Sequence, residues 1–321
     1  HNGPITCLGI GPDQPTQLVS GSRDSTLKVW QLNDNADDDS SCSSNSIAAP
    51  LTLKVVLRGH TSDVTSLSVS SSGQFVLSGS VDCSMKLWEI ASSKVLRNMT
   101  TATQFGATSA ITAVALSTDH GMKKLICGDE HGVISFFNNR GVKKFIFQGA
   151  HSDSAVNCLH YFASAQSECL FSCGDDGSAH WWDVKKFERM GSVSFERTNN
   201  QIRTCCVSPD GSLGATVVNT KFKLNDLSNM QELFSIDTGG KINCFTFNPT
   251  RYWACVVSPG SVGIWDLEIK YQVIDLKVRP GNGFSTEKES DCLCMCWTPD
   301  TGNVLFVGTQ SGRIYVYKVS N

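Results

Sequence analysis

The apolar and polar positions of this chain fall into short runs of β-forming residues separated by polar turns. The clearest run starts at Gly59-His60. Val64 opens a stretch of β-formers, Ser72-Gly73 makes a turn, Leu77-Ser78-Gly79-Ser80 follows, Asp82 falls in a second turn, and Leu87-Trp88-Glu89 ends the run. The pattern predicts three short strands ending at Trp88, with a fourth supplied by the segment before the next such run. One four-stranded sheet of this kind cannot bury both faces alone, whereas stacked copies closed into a ring bury them and leave only short, protected edges.

Copies of the run recur along the chain. The first carries His1, Asp24 and Trp30, with Val19-Ser20-Gly21-Ser22-Arg23 ahead of the aspartate, and Leu51 to Leu57 reads as its outer strand. The fourth carries His151, Asp176 and Trp182. The third has His131 where aspartate is expected, no Gly-His near Ser109, and ends in Phe136-Phe137, so its aromatic fills volume while its polar network is expected to be lost. The fifth places Asn219 and Asn225 at the aspartate and tryptophan slots. The sixth ends Ile264-Trp265-Asp266-Leu267 after a Ser258-Pro259-Gly260 turn without aspartate, and the seventh ends at Tyr317. Seven slots, with Gly-His, turn aspartate and terminal Trp-acid at this period, resemble WD repeats. The resemblance implies an all-β, seven-bladed propeller occupying residues 1–321 as a single domain. It also implies that His60 bonds Asp82 and that Ser78 bridges to the Trp88 indole, so that buried polar groups find partners. Ser, His and Asp together also suit a hydrolytic triad, but a set that recurs at repeat spacing and is completed by tryptophan reads as a structural tetrad.

Two stretches interrupt the repeats. Residues 33–50 are acidic and serine-rich without hydrophobic period, and read as a flexible insertion. A second polar insertion covers about 279–291. Asp34, Asp37, Asp38 and Asp39 lie in the first; without them the formal charge of −3 becomes about +1. With a pI of about 6.2, this argues against a general nucleic-acid binder. Mean hydropathy of −0.12 describes a soluble chain, and no apolar run approaches the ~18 residues of a membrane span. The chain opens His1-Asn2-Gly3 without methionine or signal peptide, and residues ahead of His1, including a ring-closing strand, are expected to be missing. Fourteen cysteines in no tight framework fit a reducing compartment. Cys292, Cys294 and Cys296 alternate and should share one face of a strand. One strand cannot offer zinc a tetrahedral set, so no metal is expected. No catalytic residue, cofactor site or small-molecule substrate is expected either, in the absence of a phosphate-binding glycine loop or a His-Glu-x-x-His motif.

Several segments narrow the resemblance. Gly240-Lys241-Ile242-Asn243, Phe247 to Trp253 and Ile264 to Glu268 are similar to the sixth blade of the receptor for activated C kinase family. So are Ser72-Gly73-Gln74-Phe75 with Leu77 to Ser80 in the second blade, and His151-Ser152-Asp153 with Val156 and Cys158 in the fourth. That resemblance implies a non-catalytic, cytoplasmic scaffold on the small ribosomal subunit, in contact with ribosomal RNA and ribosomal proteins, that links protein kinases and other signalling proteins to translation. It assigns ribosome contact to basic side chains of the first blade: Arg23 in its turn and Arg58 before Gly59, with Lys54 and Lys28 nearby. The family's lysine two positions after the arginine is Ser25 here. The alternative reading is a G-protein β-like signalling subunit not bound to ribosomes, which would carry an N-terminal coiled-coil helix.

Overall fold

A computed structural model describes residues 1–33, 51–101, 108–117, 123–164, 167–194, 201–277 and 291–319. The expected insertions fall outside these residues except for Asn33 and Asp291. The described residues form seven antiparallel sheets in chain order, six of four strands and a last of three, and no helix. The first strands of the sheets are Ile5–Ile10, Val64–Val69, Ile111–Leu116, Val156–Ala163, Ile202–Val207, Cys244–Phe247 and Cys292–Trp297. Each touches the next, and the seventh touches the first, so the sheets are blades around a central axis. The seven-bladed propeller expected from the sequence is the fold.

The core lies in slabs between blades rather than in one centre. Val19, Leu27, Val29 and Leu57 of blade one pack on Val64, Val76 and Trp88 of blade two, and further clusters join each following pair through to blade seven. Outer strands alternate sharply, as in Tyr271–Lys277, where every second residue is exposed. Their one packed face turns toward a neighbouring blade and the other toward solvent.

In six inner strands a β-bulge follows the first residue, for example between Ile5 and Cys7 and between Val156 and Cys158. The bulge breaks the two-residue alternation. It corrects one expectation from the sequence: Cys292, Cys294 and Cys296 do not share a face. Cys292 joins Met295 and Trp297 in the core against blade six, while Cys294 turns its thiol to the carbonyl of Ile5 in blade one, 3.6 Å away.

The turn between second and third strands needs one residue in the left-handed region. Gly132, Gly177 and Gly312 fill it in blades three, four and seven at φ 77, 74 and 77°, but blades one and two place Ser25 and Cys83 there at φ 64 and 63°. A side chain in that region costs about 1–2 kcal/mol, and glycine returns about half of this through its own entropy loss. Ser25→Gly and Cys83→Gly should therefore each stabilise the fold by roughly 0.5–1 kcal/mol, read as a higher urea midpoint at unchanged slope. A fall in the midpoint would mean the turn is unstrained.

Candidate functional site

Blades one, two and four carry a buried polar chain of one design. In blade two, the Trp88 indole N–H donates to Ser78 Oγ at 2.8 Å. Ser78 Oγ lies 2.7 Å from His60 Nε2, and His60 Nδ1 lies 2.8 Å from Asp82 Oδ2. One tautomer satisfies every link: Ser78 donates to Nε2, and the Nδ1 hydrogen goes to the carboxylate. Asp82 also accepts from the Thr61 amide, the Ser84 amide and the Ser84 hydroxyl. Blade one repeats the set with Trp30, Ser20, His1 and Asp24, at 2.8, 2.7 and 2.9 Å. Blade four repeats it with Trp182, Ser172, His151 and Asp176, at 2.8, 2.9 and 3.1 Å. Ser20 and Ser172 were not singled out from the sequence. Their signal was their position ten residues before the tryptophan, as Ser78 stands before Trp88. The hydroxyls two residues after each aspartate, Thr26, Ser84 and Ser178, were also missed.

Degenerate blades change both ends of a link together or leave a gap. In blade three, strand register puts Cys127 and Phe137 where blade two has Ser78 and Trp88. Donor and acceptor vanish as a pair, which costs far less than orphaning one of them. The polar network expected to be lost there keeps one link, since Ser109 Oγ meets His131 Nδ1 at 2.9 Å. In blade five, Thr216 and Asn225 take the serine and tryptophan places. Thr216 Oγ1 and Asn225 Oδ1 are buried without a hydrogen-bond partner among the described residues.

These clusters are fastenings, not reaction centres. Ser78 and Ser172 are fully buried and no substrate reaches them. His151, Asp176 and His180 are close enough to suggest a metal cage, but the Ser178 hydroxyl sits among them, 2.7 Å from Asp176, 2.9 Å from His180 and 3.2 Å from His151. The Cys206 thiol lies 3.9 Å from His160. Burial pushes that thiol up to about 12 and the imidazole down to about 4, which leaves a neutral pair with no nucleophile.

The basic candidates separate. Arg23 lies in the turn before Thr26, and Thr26 pairs with Arg58 across the sheet, so both guanidiniums stand at one rim. Arg23 is 61 % exposed and meets Asp63 of the next blade at 3.7 Å, a partner not foreseen from the sequence. Lys54 is exposed on the outer strand Leu51–Arg58, four residues and roughly 13 Å back from Arg58 at the usual strand rise. Lys28 is only partly exposed, with its ammonium 5.8 Å above the Trp30 ring.

The repeated Trp–Ser–His–Asp fastening in a closed ring of blades defines a WD-repeat propeller. The family model described as WD domain, G-beta repeat matches residues 1–31, 51–89 and 142–183. The chain is 30 % identical over 321 residues to the small ribosomal subunit protein RACK1 of Drosophila melanogaster, a match that spans all of this chain and 95 % of the relative. It is 29 % identical over 322 residues to the cross-pathway control WD-repeat protein 2 of Flammulina velutipes, covering all of this chain and 96 % of that one. The chain belongs to the RACK1 family of WD-repeat proteins.

Burial would raise Asp82, but the Ser84 hydroxyl, the His60 ring and the Thr61 amide outweigh it and hold the carboxyl at about 2. Asp176 is held at about 2 in the same way by His151 and Ser178. Their stabilisation is complete above the unfolded carboxylate value of about 4 and is lost as the pH falls toward 2. Burial lowers His60, and lowers His160 and His180 to about 4. The unfolded chain therefore takes up protons first, below about pH 6.5. Urea midpoints measured from pH 8 to 2 should fall in two stages, from about 6.5 to 4 and again below 4. A flat profile down to pH 4 would contradict the histidine burial. Asp82→Ala, which orphans several donors, should cost about 2–4 kcal/mol, whereas His131→Ala in blade three should cost about 1 or less. Equal costs would refute the difference between these blades.

Proposed function

We propose that this chain is a non-catalytic scaffold seated on the small ribosomal subunit in the cytoplasm, where it links signalling kinases to translation. The whole-length likeness to a relative named as a small ribosomal subunit protein carries the reading. The rim that presents Arg23 and Arg58 supports it. Two exposed guanidiniums beside neighbouring connections, of which Arg23 meets the Asp63 carboxylate, suit bidentate contact with RNA phosphates. Lys54 extends the basic strip along the outer strand. Lys28, drawn toward Trp30, contributes through the local field more than by direct contact. Asp63 competes with phosphate for Arg23 and tempers the site. The alternative of a G-protein β-like subunit rests on the repeat alone, with no feature of this chain in its favour.

Co-sedimentation with purified small subunits tests the proposal. The Arg23→Glu/Arg58→Glu double variant should bind about tenfold or more weakly, and its log-affinity against log-salt slope should be shallower by about 1 for each lost phosphate contact. Asp63→Asn should tighten binding. Binding by the double variant at the unaltered strength and slope would place the contact elsewhere.

A further inference from the structure

The boundary between blades four and five holds a thiol pair that neither the fastening nor the docking rim uses. Cys158 and Cys205 lie on inner strands that touch across it. Each thiol reaches the other's backbone: Cys158 Sγ donates to the Cys205 carbonyl at 3.3 Å, and Cys205 Sγ lies 3.8 Å from the Cys158 carbonyl. Reciprocal contacts of this kind set the two residues level with each other. The Thr204 hydroxyl lies 4.0 Å from Cys158 Sγ. Cys158 is partly exposed on its inner strand, while Cys205 is buried.

We propose that Cys158 is a peroxide-sensitive thiol that closes a reversible disulfide with Cys205 and staples blade four to blade five. The two sulfurs differ in character. A hydrogen bond from Cys205 lowers the Cys158 thiol to about 7 against the upward push of burial, helped by Thr204 and nearby amides. Burial holds Cys205 well above the usual thiol range. Cys158, the more exposed of the two, is the attacking thiolate, and the buried Cys205 is the resolving thiol. The Cys158 thiolate attacks one oxygen of hydrogen peroxide, an S–O bond forms as the O–O bond breaks, and hydroxide leaves to become water on protonation. The Cys205 sulfur then attacks the sulfenic sulfur, the S–S bond forms, and a second water leaves with the Cys205 proton. Two thiols are oxidised and one peroxide is reduced to two waters. The staple falls beside the blade with the poorest polar fastening, where Thr216 Oγ1 and Asn225 Oδ1 have no hydrogen-bond partner among the described residues. The inference stands apart from the ribosomal reading.

The folded full-length chain treated with hydrogen peroxide, alkylated and digested should yield a linked Cys158–Cys205 peptide lacking two hydrogens and reversed by dithiothreitol. Cys205→Ser should instead accumulate a Cys158 sulfenic acid trapped by dimedone, and Cys158→Ser should leave Cys205 reduced. The oxidised chain should unfold at a higher urea concentration than the reduced one, and neither variant should show that shift. Circular dichroism checks that both serine variants fold; if one does not, the linked peptide from the unaltered chain decides. The proposal is overturned if Cys158 reacts no faster than the fully buried Cys255, or if it pairs with Cys173 or Cys206.

Discussion

Closure of the ring depends on a hydrogen bond repeated at the bulge of the inner strands. The bulged residue sends its side chain across the blade boundary to the carbonyl of the buried residue that opens the next blade. Thr6 donates to Val64, Thr65 to Ile111 and Thr112 to Val156, each at 2.6 Å. Asn157 donates to Ile202 at 2.9 Å, and Asn243, which lies just ahead of the unbulged strand Cys244–Phe247, donates to Cys292 at 2.8 Å. A bulge disrupts the ladder locally, and a buried carbonyl without a donor is costly. The bond gives that carbonyl a donor from the preceding blade, and it sets each blade's position on the next. A typical net value of about 0.5–1.5 kcal/mol per bond is modest, but five boundaries share it.

Two boundaries depart from the rule. Between blades seven and one, the Cys294 thiol at 3.6 Å from Ile5 takes the role, a weaker donor. Between blades five and six the bulged residue is Arg203, which is exposed. Blade five is also where the tetrad has gone. Both fastenings fail on the same blade, and a cavity of about 190 Å³ opens between blades five and six, lined by Pro209, Leu213, Phe247 and Tyr252. Stability in such a ring is distributed by boundary, so local opening should favour the weakest of them.

The number of blades and the register of the intact ones were legible because the tetrad needs four residue types at fixed spacing, and only a WD-like unit supplies them. The same rule found His60, Asp82 and Trp88 and passed over Ser20 and Ser172, because serine is common enough to hide. What could not be read was geometry that residue type does not encode. The bulge that sends Cys292 and Cys294 to opposite faces comes from the backbone, and alternation alone assigns the wrong side. The Ser109–His131 bond joins two residues that each depart from the pattern, so each looked like loss when read singly. Asp63 escaped because its partner Arg23 belongs to the neighbouring blade and lies 40 positions earlier.

The fastening and the proposed docking rim share one turn. Arg23 stands between Ser22 and Asp24, and both neighbours are committed to the blade: Ser22 donates to the Gly3 carbonyl and accepts from the Asp24 amide, each at 3.1 Å. Asp24 accepts from Thr26 and lies against His1. The Arg23 amide itself donates to Pro4 at 3.0 Å. The backbone beneath the guanidinium is thus fixed on both sides by bonds the fold needs anyway. A cation presented from such a base loses only side-chain freedom on meeting a phosphate, which lowers the entropic cost of docking. Ser25 follows in the left-handed position of the same turn, at φ 64°, so a different side chain there would change the local charge without moving the frame that aims Arg23. The charge at this rim is therefore set by outward-facing turn positions, while the tetrad beneath it is set by buried ones, so a substitution at one need not disturb the other.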